Sequence, residues 1–295
     1  MRNVTEENIT DTFLSYFGPD TDARVRELMN ALARHLHAFA RETRLTHAEW
    51  HAGLELLRET GRITTPQRDE FVLLSDVLGL SSLVDMMHSP EVGTNSSVLG
   101  PFHVSDPPAY PMGADLKGDF AGEIVLVAGR VVDVDGKGIA GATLDVWQTA
   151  PNGLYSSQDD AQDEFSFHAK FTTDADGGYR FTTVKPVPYT VPTDGPVGTL
   201  LGATGRHPWR PSHLHYIVDA AGFRSLVTEL FPDDDPYLDQ DTVFGVRDDL
   251  VIHYQPMAAG TFPDSGFALS GQVDGDWQRV DFDVVLVPEP TGTCG

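Results

Sequence analysis

One stretch organises the rest of the sequence: RPSHLHYIV at residues 210–218. Its β-branched and aromatic residues, following a proline and preceding a turn-forming DAAG, predict a β-strand. Side chains two apart in a strand share a face, so His213 and His215 point one way while Leu214 and Tyr216 point the other. Two imidazoles that converge in this way predict a metal site. The alternative is one core histidine beside one exposed histidine.

The composition limits the kind of site that the chain can build. A net charge of -24 over 295 residues argues against nucleic acid or an anionic membrane surface as a partner. No apolar run approaches the length of a membrane span and the first residues form no leader, so we expect a cytoplasmic protein that is not a membrane protein. The single cysteine, Cys294, excludes intrachain disulfides and thiolate clusters. Any metal must therefore be held by nitrogen and oxygen.

Helical periodicity fills the first ninety residues. Helices are predicted at about 5–17, 22–44, 46–61 and 65–87, with capping signals at the start of the last two. The second carries an apolar stripe composed of Val25, Leu28, Leu32, Leu36 and Phe39. This stripe fits either a dimer interface or packing against the rest of the chain.

Proline and glycine recur over residues 89–120, and from about residue 123 short strands alternate with turns. This change predicts a boundary between a helical domain at residues 1–95 and a β-domain at residues 96–295. The strand spacing indicates a β-sandwich. The predicted fold class is therefore α+β, with an N-terminal helical region followed by an antiparallel β-sandwich.

The two histidines need oxygen ligands, and the residues offer two sets. Asp219 would complete a two-histidine, one-carboxylate site that suits ferrous iron. Tyr155 and Tyr189 would instead supply phenolates, which favour Fe(III) because only a strong Lewis acid displaces the phenol proton. The residues alone leave both sets open.

Several segments together carry a resemblance to a known family. VAGRV at 127–131, LDV at 144–146 and GLY at 153–155 resemble one signature of the intradiol ring-cleavage dioxygenases. RPSHLH at the start of the central stretch is similar to their second signature, and the likeness extends through LGPF at 99–102 over nearly the whole chain. The resemblance implies an enzyme with a catalytic β-sandwich.

The resemblance also implies one mononuclear, non-haem Fe(III) per chain. Its ligands would be Tyr155, Tyr189, His213 and His215, and Tyr189 would leave the metal when substrate arrives and act as a base. Arg210 would lie over the bound ring. At position 229 the resemblance implies Gln or His, and this sequence has Glu229 instead, so the surroundings of the ligands are expected to differ.

FVLLSDVLG at 71–79 looks most like the hydroxyquinol branch of the family. The implied reaction is cleavage of hydroxyquinol (benzene-1,2,4-triol) by O2, giving 3-hydroxy-cis,cis-muconate, which tautomerises to maleylacetate. Asp76 is the candidate partner of the third hydroxyl. The substrate pocket would be walled by Leu73, Val98, Leu99, Gly100, Pro101 and Phe102.

In the family the helical region forms a homodimer and encloses phospholipid, so the same is expected of residues 1–95. Three alternatives remain. The chain could act on catechol, giving cis,cis-muconate; it could be a ferrous extradiol or cupin-type oxygenase using Asp219; or it could be a non-catalytic, prealbumin-like binding module. Colour separates the last two from an intradiol enzyme, because phenolate-to-Fe(III) charge transfer makes a protein burgundy.

Overall fold

The computed structural model describes residues 3–290, so Cys294 lies outside the described residues. The chain forms two compact units, the first ending at Arg58 and the second beginning at Glu59. The division expected at residue 95 stays a prediction.

Three helices follow one another from the start of the chain: α1 (Ile9–Leu14), α2 (Ala23–Glu42) and α3 (His47–Ile63). One of the two predicted caps forms: at the start of α3 the Thr46 amide donates to the Glu49 carboxylate at 2.8 Å, and the Glu49 amide donates to the Thr46 hydroxyl at 3.3 Å. The five apolar residues of the α2 stripe are all at least half exposed. The stripe therefore remains an unpartnered apolar surface.

The next two helices are α4 (Glu70–Val77) and α5 (Leu80–His88). The single helix predicted from residue 65 is wrong in two respects. Asp69, and not Thr65, caps the first turn by accepting from two backbone amides, and Gly79 adopts a φ of +73°, which ends the helical path. Within residues 3–290 no single helix has the length and apolar content to cross a membrane, although α4 and α5 pass that test jointly across a 75° bend.

Two five-stranded sheets form the rest of the second unit. The first contains β1 (Ile124–Asp133), β4 (Gly178–Val184), β10 (Gln255–Met257), β11 (Trp277–Asp281) and β12 (Val284–Leu286). The second contains β2 (Thr143–Trp147), β3 (His168–Thr172), β7 (Leu214–Asp219), β8 (Leu226–Pro232) and β9 (Val251–Ile252). A short pair, β5 (Tyr189–Thr190) and β6 (Trp209–Arg210), flanks helix α6 (Pro196–Ala203).

The expected order of helices followed by sheets is confirmed, but the sheets are mixed and the purely antiparallel prediction is wrong. Strand β1 pairs in parallel with β11 and β12, and β8 pairs in parallel with β9. Alternation of apolar and polar residues indicates a strand but not its direction. The parallel partners come from distant parts of the chain, where no tight hairpin dictates an antiparallel return.

The two sheets share one apolar core. Leu214 and Tyr216 enter this core from β7, beside Leu144 and Val146 from β2. Because side chains alternate along a strand, His215 lies on the opposite face of the second sheet. The candidate site therefore lies outside the sandwich core, on a face that loops cover.

Candidate metal centre

A row of four side chains crosses the outer face of the second sheet. Trp147 on β2 is the cross-strand partner of both His168 on β3 and His215 on β7, and His215 is in turn opposite Glu229 on β8. The Trp147 ring stacks on the His215 ring with centroids 4.5 Å apart and planes 3° apart. This stack, together with the antiparallel pairing, fixes the orientation of the His215 imidazole.

Two loops bring tyrosines to this face. The backbone pairing of β5 with β6 sets Tyr189 directly opposite Arg210, three residues before His213. Tyr155 follows a tight turn in which Gly153 has a φ of +78°, a conformation that favours glycine. Tyr155, Tyr189, His213 and His215 are all buried.

Four side-chain atoms converge at one point. The Tyr155 hydroxyl lies 3.2 Å from the Tyr189 hydroxyl, 3.3 Å from His213 Nε2 and 3.0 Å from His215 Nε2. The two Nε2 atoms are 3.0 Å apart. Ligand atoms about 2.0–2.1 Å from one metal ion, at roughly right angles, are themselves about 3 Å apart. The donor set therefore fits a single metal ion.

Hydrogen bonding and burial prepare the imidazoles for that role. His213 donates its Nδ1 proton to the Pro211 carbonyl at 2.8 Å, which leaves its Nε2 with a free lone pair. Burial holds the pKa of both His213 and His215 well below the usual value, so both rings are neutral. A neutral imidazole is the form that binds a metal.

The two phenols must lose their protons before they can bind a metal. Burial raises the pKa of Tyr155 well above 10 and also raises the pKa of Tyr189, where the Arg210 charge opposes the effect. Without a cation both phenols keep their protons. A strong Lewis acid is therefore needed to convert them to ligands.

Arg210 is buried beside this point and is held by two carboxylates. Its Nε and Nη2 donate to Asp241, at 3.0 and 3.2 Å, and its Nη1 and Nη2 donate to Glu229, at 2.8 and 3.1 Å. A guanidinium has five N–H donors, and these four contacts use four of them. Nη1 also lies 3.3 Å from His213 Nε2, so the remaining N–H faces the converging ligands.

The structure buries some of the predicted pocket residues and exposes others. Leu73 and Val98 are buried, Phe102 stacks on Tyr155 with centroids 5.2 Å apart, and a Cβ on Gly100 would lie 3.4 Å from His215 Cε1. The Leu99 side chain is instead exposed, and Pro101 is half-buried with its carbonyl accepting from the Asp69 amide. A cleft of about 400 Å³ beside the phenols is lined partly by Phe102, Leu154 and Val191.

Asp76 lies buried at the end of α4, and its Oδ1 has no hydrogen-bond partner within residues 3–290. Burial raises the pKa of its carboxyl to about 7, against a hydrogen bond with Ser81 and the Arg210 charge, which lower it. A buried carboxyl with one unpartnered oxygen is the arrangement expected of a group that awaits a polar ligand atom.

The carboxylate alternative from the sequence does not assemble. Asp219 is exposed at the far end of β7, paired with Thr143, four residues beyond His215. The carboxylate that does lie close is Glu229, whose Oε1 is 3.3 Å from His213 Nε2. Sequence patterns did not single out Glu229 as a neighbour of the histidines, because only the β7–β8 register brings it opposite His215.

A second His-carboxylate group lies behind Trp147, and sequence reasoning missed it. His103 Nε2 is 3.1 Å from Asp145 Oδ2, and His168 Nε2 is 2.6 Å from Asp145 Oδ1. Each imidazole is thus engaged with a different carboxylate oxygen, as in a hydrogen-bonded bridge. Burial opposes ionisation of Asp145, but the hydrogen bonds from His103 and His168 lower its pKa. Alternation in LDVW, which sets Asp145 on the face of Trp147, was the available signal.

Two family profiles match this chain. One, described as "Dioxygenase", matches residues 103–288, and another, "Catechol dioxygenase N terminus", matches residues 22–95. The first covers more than half of the chain and contains all four converging side chains. The chain belongs to the intradiol ring-cleavage dioxygenases, an iron-dependent family.

Individual relatives narrow the comparison. The chain is 44% identical to a hydroxyquinol 1,2-dioxygenase of Nocardioides simplex, over 97% of each chain. It is 35% identical to a catechol 1,2-dioxygenase of Candida albicans, over 95% of this chain and 92% of that protein. The crystal structure of hydroxyquinol 1,2-dioxygenase from Pseudomonas putida DLL-E4 superposes with a TM-score of 0.83 at 40% identity, covering 96% of this chain and 99% of that one.

Proposed function

We propose that this chain cleaves hydroxyquinol with O2 between its two adjacent hydroxylated carbons, using one Fe(III) per chain. Both oxygen atoms of O2 enter the product, 3-hydroxy-cis,cis-muconate, which tautomerises to maleylacetate. The observation that carries the proposal is the convergence of two phenol oxygens and two imidazole nitrogens: the Tyr155 hydroxyl lies 3.0–3.3 Å from the other three atoms, and the two nitrogens are 3.0 Å apart. The hydroxyquinol 1,2-dioxygenases among the relatives support the choice of substrate.

Tyr155, Tyr189, His213 and His215 are the proposed iron ligands. These four side chains would hold Fe(III), which would supply the Lewis acidity needed to ionise the phenols and to activate a bound aromatic diol towards O2. The four side chains come from three separated segments. Their burial excludes bulk water from the position where the diol binds.

Tyr189 is the proposed base for a substrate hydroxyl. A diol that binds through both oxygens must lose two protons, and a base works best when it is already beside them. Burial raises the pKa of Tyr189, so its phenolate is a strong base once freed to accept a proton. Arg210, which faces Tyr189 across the β5–β6 pair, limits that rise and orients the side chain.

Arg210 acts in this proposal through one directed hydrogen bond. Glu229 and Asp241 together offset its charge, and four of its five N–H groups are already used. The remaining N–H on Nη1 is available to a substrate oxygen that gains negative charge. Such a preorganised donor in a dry site typically contributes a few kcal/mol to the rate, about 2.7–4 kcal/mol in well-studied cases.

Asp76 is the proposed partner of the third hydroxyl of hydroxyquinol, because its Oδ1 is buried and unpartnered within residues 3–290. Catechol is the alternative substrate, favoured by the 35% identity to a catechol 1,2-dioxygenase. Catechol has no third hydroxyl and would leave the Asp76 carboxyl without a partner. That difference favours hydroxyquinol.

We also propose that α2 forms a homodimer interface. The stripe of Val25, Leu28, Leu32, Leu36 and Phe39 is exposed, and a second copy of the chain would remove this apolar surface from water. Phospholipid bound at that interface is a further part of the proposal. Mass spectrometry after organic extraction tests for it.

A visible spectrum tests the proposed function directly. The purified, iron-loaded protein is expected to show a phenolate-to-Fe(III) charge-transfer band in the visible, and Tyr155→Phe and Tyr189→Phe are each expected to weaken or shift it. Tyr216→Phe is the matched control, because Tyr216 lies on β7 beside the histidines but faces the apolar core. A colourless iron-loaded protein, or an equal effect of Tyr216→Phe, would contradict the ligand assignment.

A further inference from the structure

The proposed iron ligands do not account for the position of Glu229 beside His215. The two residues are direct cross-strand partners on β7 and β8, and Glu229 Oε1 lies 3.4 Å from His215 Nδ1. That Nδ1 is buried and has no hydrogen-bond partner among residues 3–290. Since His215 Nε2 faces the tyrosine hydroxyls, Nδ1 is the atom that carries the ring proton when Nε2 binds a metal.

The two histidines differ in the group that lies beside Nδ1, the ring nitrogen that faces away from the tyrosine hydroxyls. His213 donates its Nδ1 proton to the neutral carbonyl of Pro211 at 2.8 Å. Beside His215 Nδ1 lies instead a carboxylate oxygen, Glu229 Oε1, at 3.4 Å. A metal-bound histidine needs such an acceptor to fix its ring, and a carboxylate also makes it a stronger electron donor.

Glu229 is itself fixed from the other side. Its Oε1 accepts from Arg210 Nη1 at 2.8 Å, and its Oε2 accepts from Arg210 Nη2 at 3.1 Å and from the Ser97 hydroxyl at 2.6 Å. These contacts, and its complete burial, hold the carboxylate against the His215 ring.

The charges around Arg210 do not require Glu229. Asp241 makes two hydrogen bonds to the guanidinium and accepts the Val243 and Gly245 amides, which together lower the pKa of its carboxyl against the opposing effect of burial. One guanidinium and one carboxylate already balance. Glu229 is therefore a second buried carboxyl group on the same guanidinium, and it lies beside His215.

We propose that Glu229 is a positioning residue that accepts the Nδ1 proton of His215 and increases electron donation from that ligand to the metal. The inference rests on the proposed iron site. Stronger donation favours Fe(III) over Fe(II), and it tightens the hold of the chain on its metal. Glu229 Oε1 lies 3.4 Å from His215 Nδ1 and 3.3 Å from His213 Nε2, and it also accepts from Arg210, so Glu229 acts on the reaction through these three side chains.

Glu229→Gln tests this inference in the iron-loaded full chain, because it removes the charge and keeps the shape. Outer-shell partners of metal-bound histidines typically contribute about 10- to 100-fold to metal affinity. Iron transfer to a competing chelator is expected to become favourable at about tenfold lower chelator concentration. The charge-transfer band is expected to move to longer wavelength and the reduction potential to become more positive, because the iron receives less electron density.

Asp241→Asn is the matched control. It removes one carboxylate from the same arginine, but among the described residues Asp241 has no hydrogen bond or ion pair with either histidine, and only its charge acts on His213. Its band position and iron retention are expected to stay close to those of the unaltered protein. If it shifts the spectrum as much as Glu229→Gln does, the effect runs through the Arg210 charge and the inference is overturned.

Glu229→Asp is a second variant, useful if Glu229→Gln does not fold. It keeps the charge but withdraws the carboxylate from His215 by one methylene, and it is expected to change the potential and the iron retention in the same direction. A wild-type spectrum with either Glu229 variant overturns the inference while leaving the iron site intact. An unaltered protein with no charge-transfer band overturns the proposed function itself.

Discussion

Several buried residues at the site carry polar atoms whose hydrogen bonding is incomplete among the described residues. Asp76 is buried with one free carboxyl oxygen among the described residues, His215 has an unpartnered Nδ1, and Tyr155 shares its hydroxyl with three other polar atoms. Buried polar groups without partners cost about 1–3 kcal/mol each. We expect the proposed iron and substrate, when bound, to supply the missing partners.

The Asp76 carboxyl gives a prediction about substrate choice. In Asp76→Ala the ratio of kcat/KM for hydroxyquinol over catechol is expected to fall about 10- to 100-fold, because only the triol loses a hydrogen bond. Steady-state oxygen consumption with both substrates measures this ratio. Asp85→Ala is the matched control, since burial also raises the pKa of that carboxyl, to about 6, on the following helix. An unchanged ratio in Asp76→Ala removes the proposed role.

The sequence predicted these residues to different degrees. The spacing of His213 and His215 on a strand requires only the alternation of side chains, whereas the choice of Tyr155 and Tyr189 over Asp219 depended on a family resemblance. Proximity between Tyr189 and Arg210 arises from the pairing of two two-residue strands, and nothing in so short a strand reveals its partner. The His103–Asp145 contact likewise depends on where a loop folds back onto the sheet.

At the scale of elements, β7 carries two different surfaces. One contributes Leu214 and Tyr216 to the core, and the other carries the candidate ligands. Its alternation was readable from the sequence, but the direction of the strands around β1 was not, because β1 finds parallel partners about 150 residues later. The start of a helix can be predicted where only one capping side chain is available. At α4 two were available, and Asp69 rather than Thr65 caps the helix.

Helix α2 gives a prediction about assembly. Leu32→Glu introduces a charge at the centre of the exposed apolar stripe and is expected to shift the chain from dimer towards monomer at micromolar concentration. Sedimentation velocity measures the populations. Arg34→Glu is the control, because Arg34 is exposed on the opposite side of the helix. A monomeric unaltered protein, or dissociation by both variants alike, contradicts the proposed interface.

Across the whole molecule, 44 acidic and 20 basic residues leave a large negative charge, and the protein still buries several carboxyls. Two of them behave in opposite ways. Asp241 has a lowered pKa because the Arg210 charge and its hydrogen bonds overcome the cost of burial, whereas burial raises the pKa of Asp76 to about 7. Ionised Asp241 stabilises the fold at neutral pH, and the burial of Asp76 destabilises it there.

Asp76 therefore gives a prediction for stability against pH. Between about pH 4 and 7 the folded state keeps a proton that the unfolded chain, with an aspartate pKa of about 3.9, has lost, so this contribution to stability falls as pH rises. The lowered pKa values of His213 and His215 act in the opposite sense. The Asp76 contribution is therefore measured as the difference between the unaltered protein and Asp76→Asn.

Urea unfolding of metal-free protein measures that difference. Asp76→Asn is expected to gain about 2–3 kcal/mol relative to the unaltered protein between pH 5 and pH 8, because the variant has no proton to lose. Asp194→Asn is the control, because its carboxyl is mostly exposed and its pKa is lowered by the hydrogen bond from Arg68. A difference that does not change with pH would mean that Asp76 ionises normally in the folded state.

The two-faced strand β7 also limits how this protein can change over evolutionary time. Shifting the register of this strand by one residue would turn the imidazoles into the apolar core and bring Leu214 and Tyr216 to the face of the proposed metal site. Such a change would remove the activity and the folded state together, so no partly active sequence would connect the two registers. New substrate ranges in this lineage must therefore arise by exchanging side chains or by changing the length of the surrounding loops, while the length of this strand stays fixed.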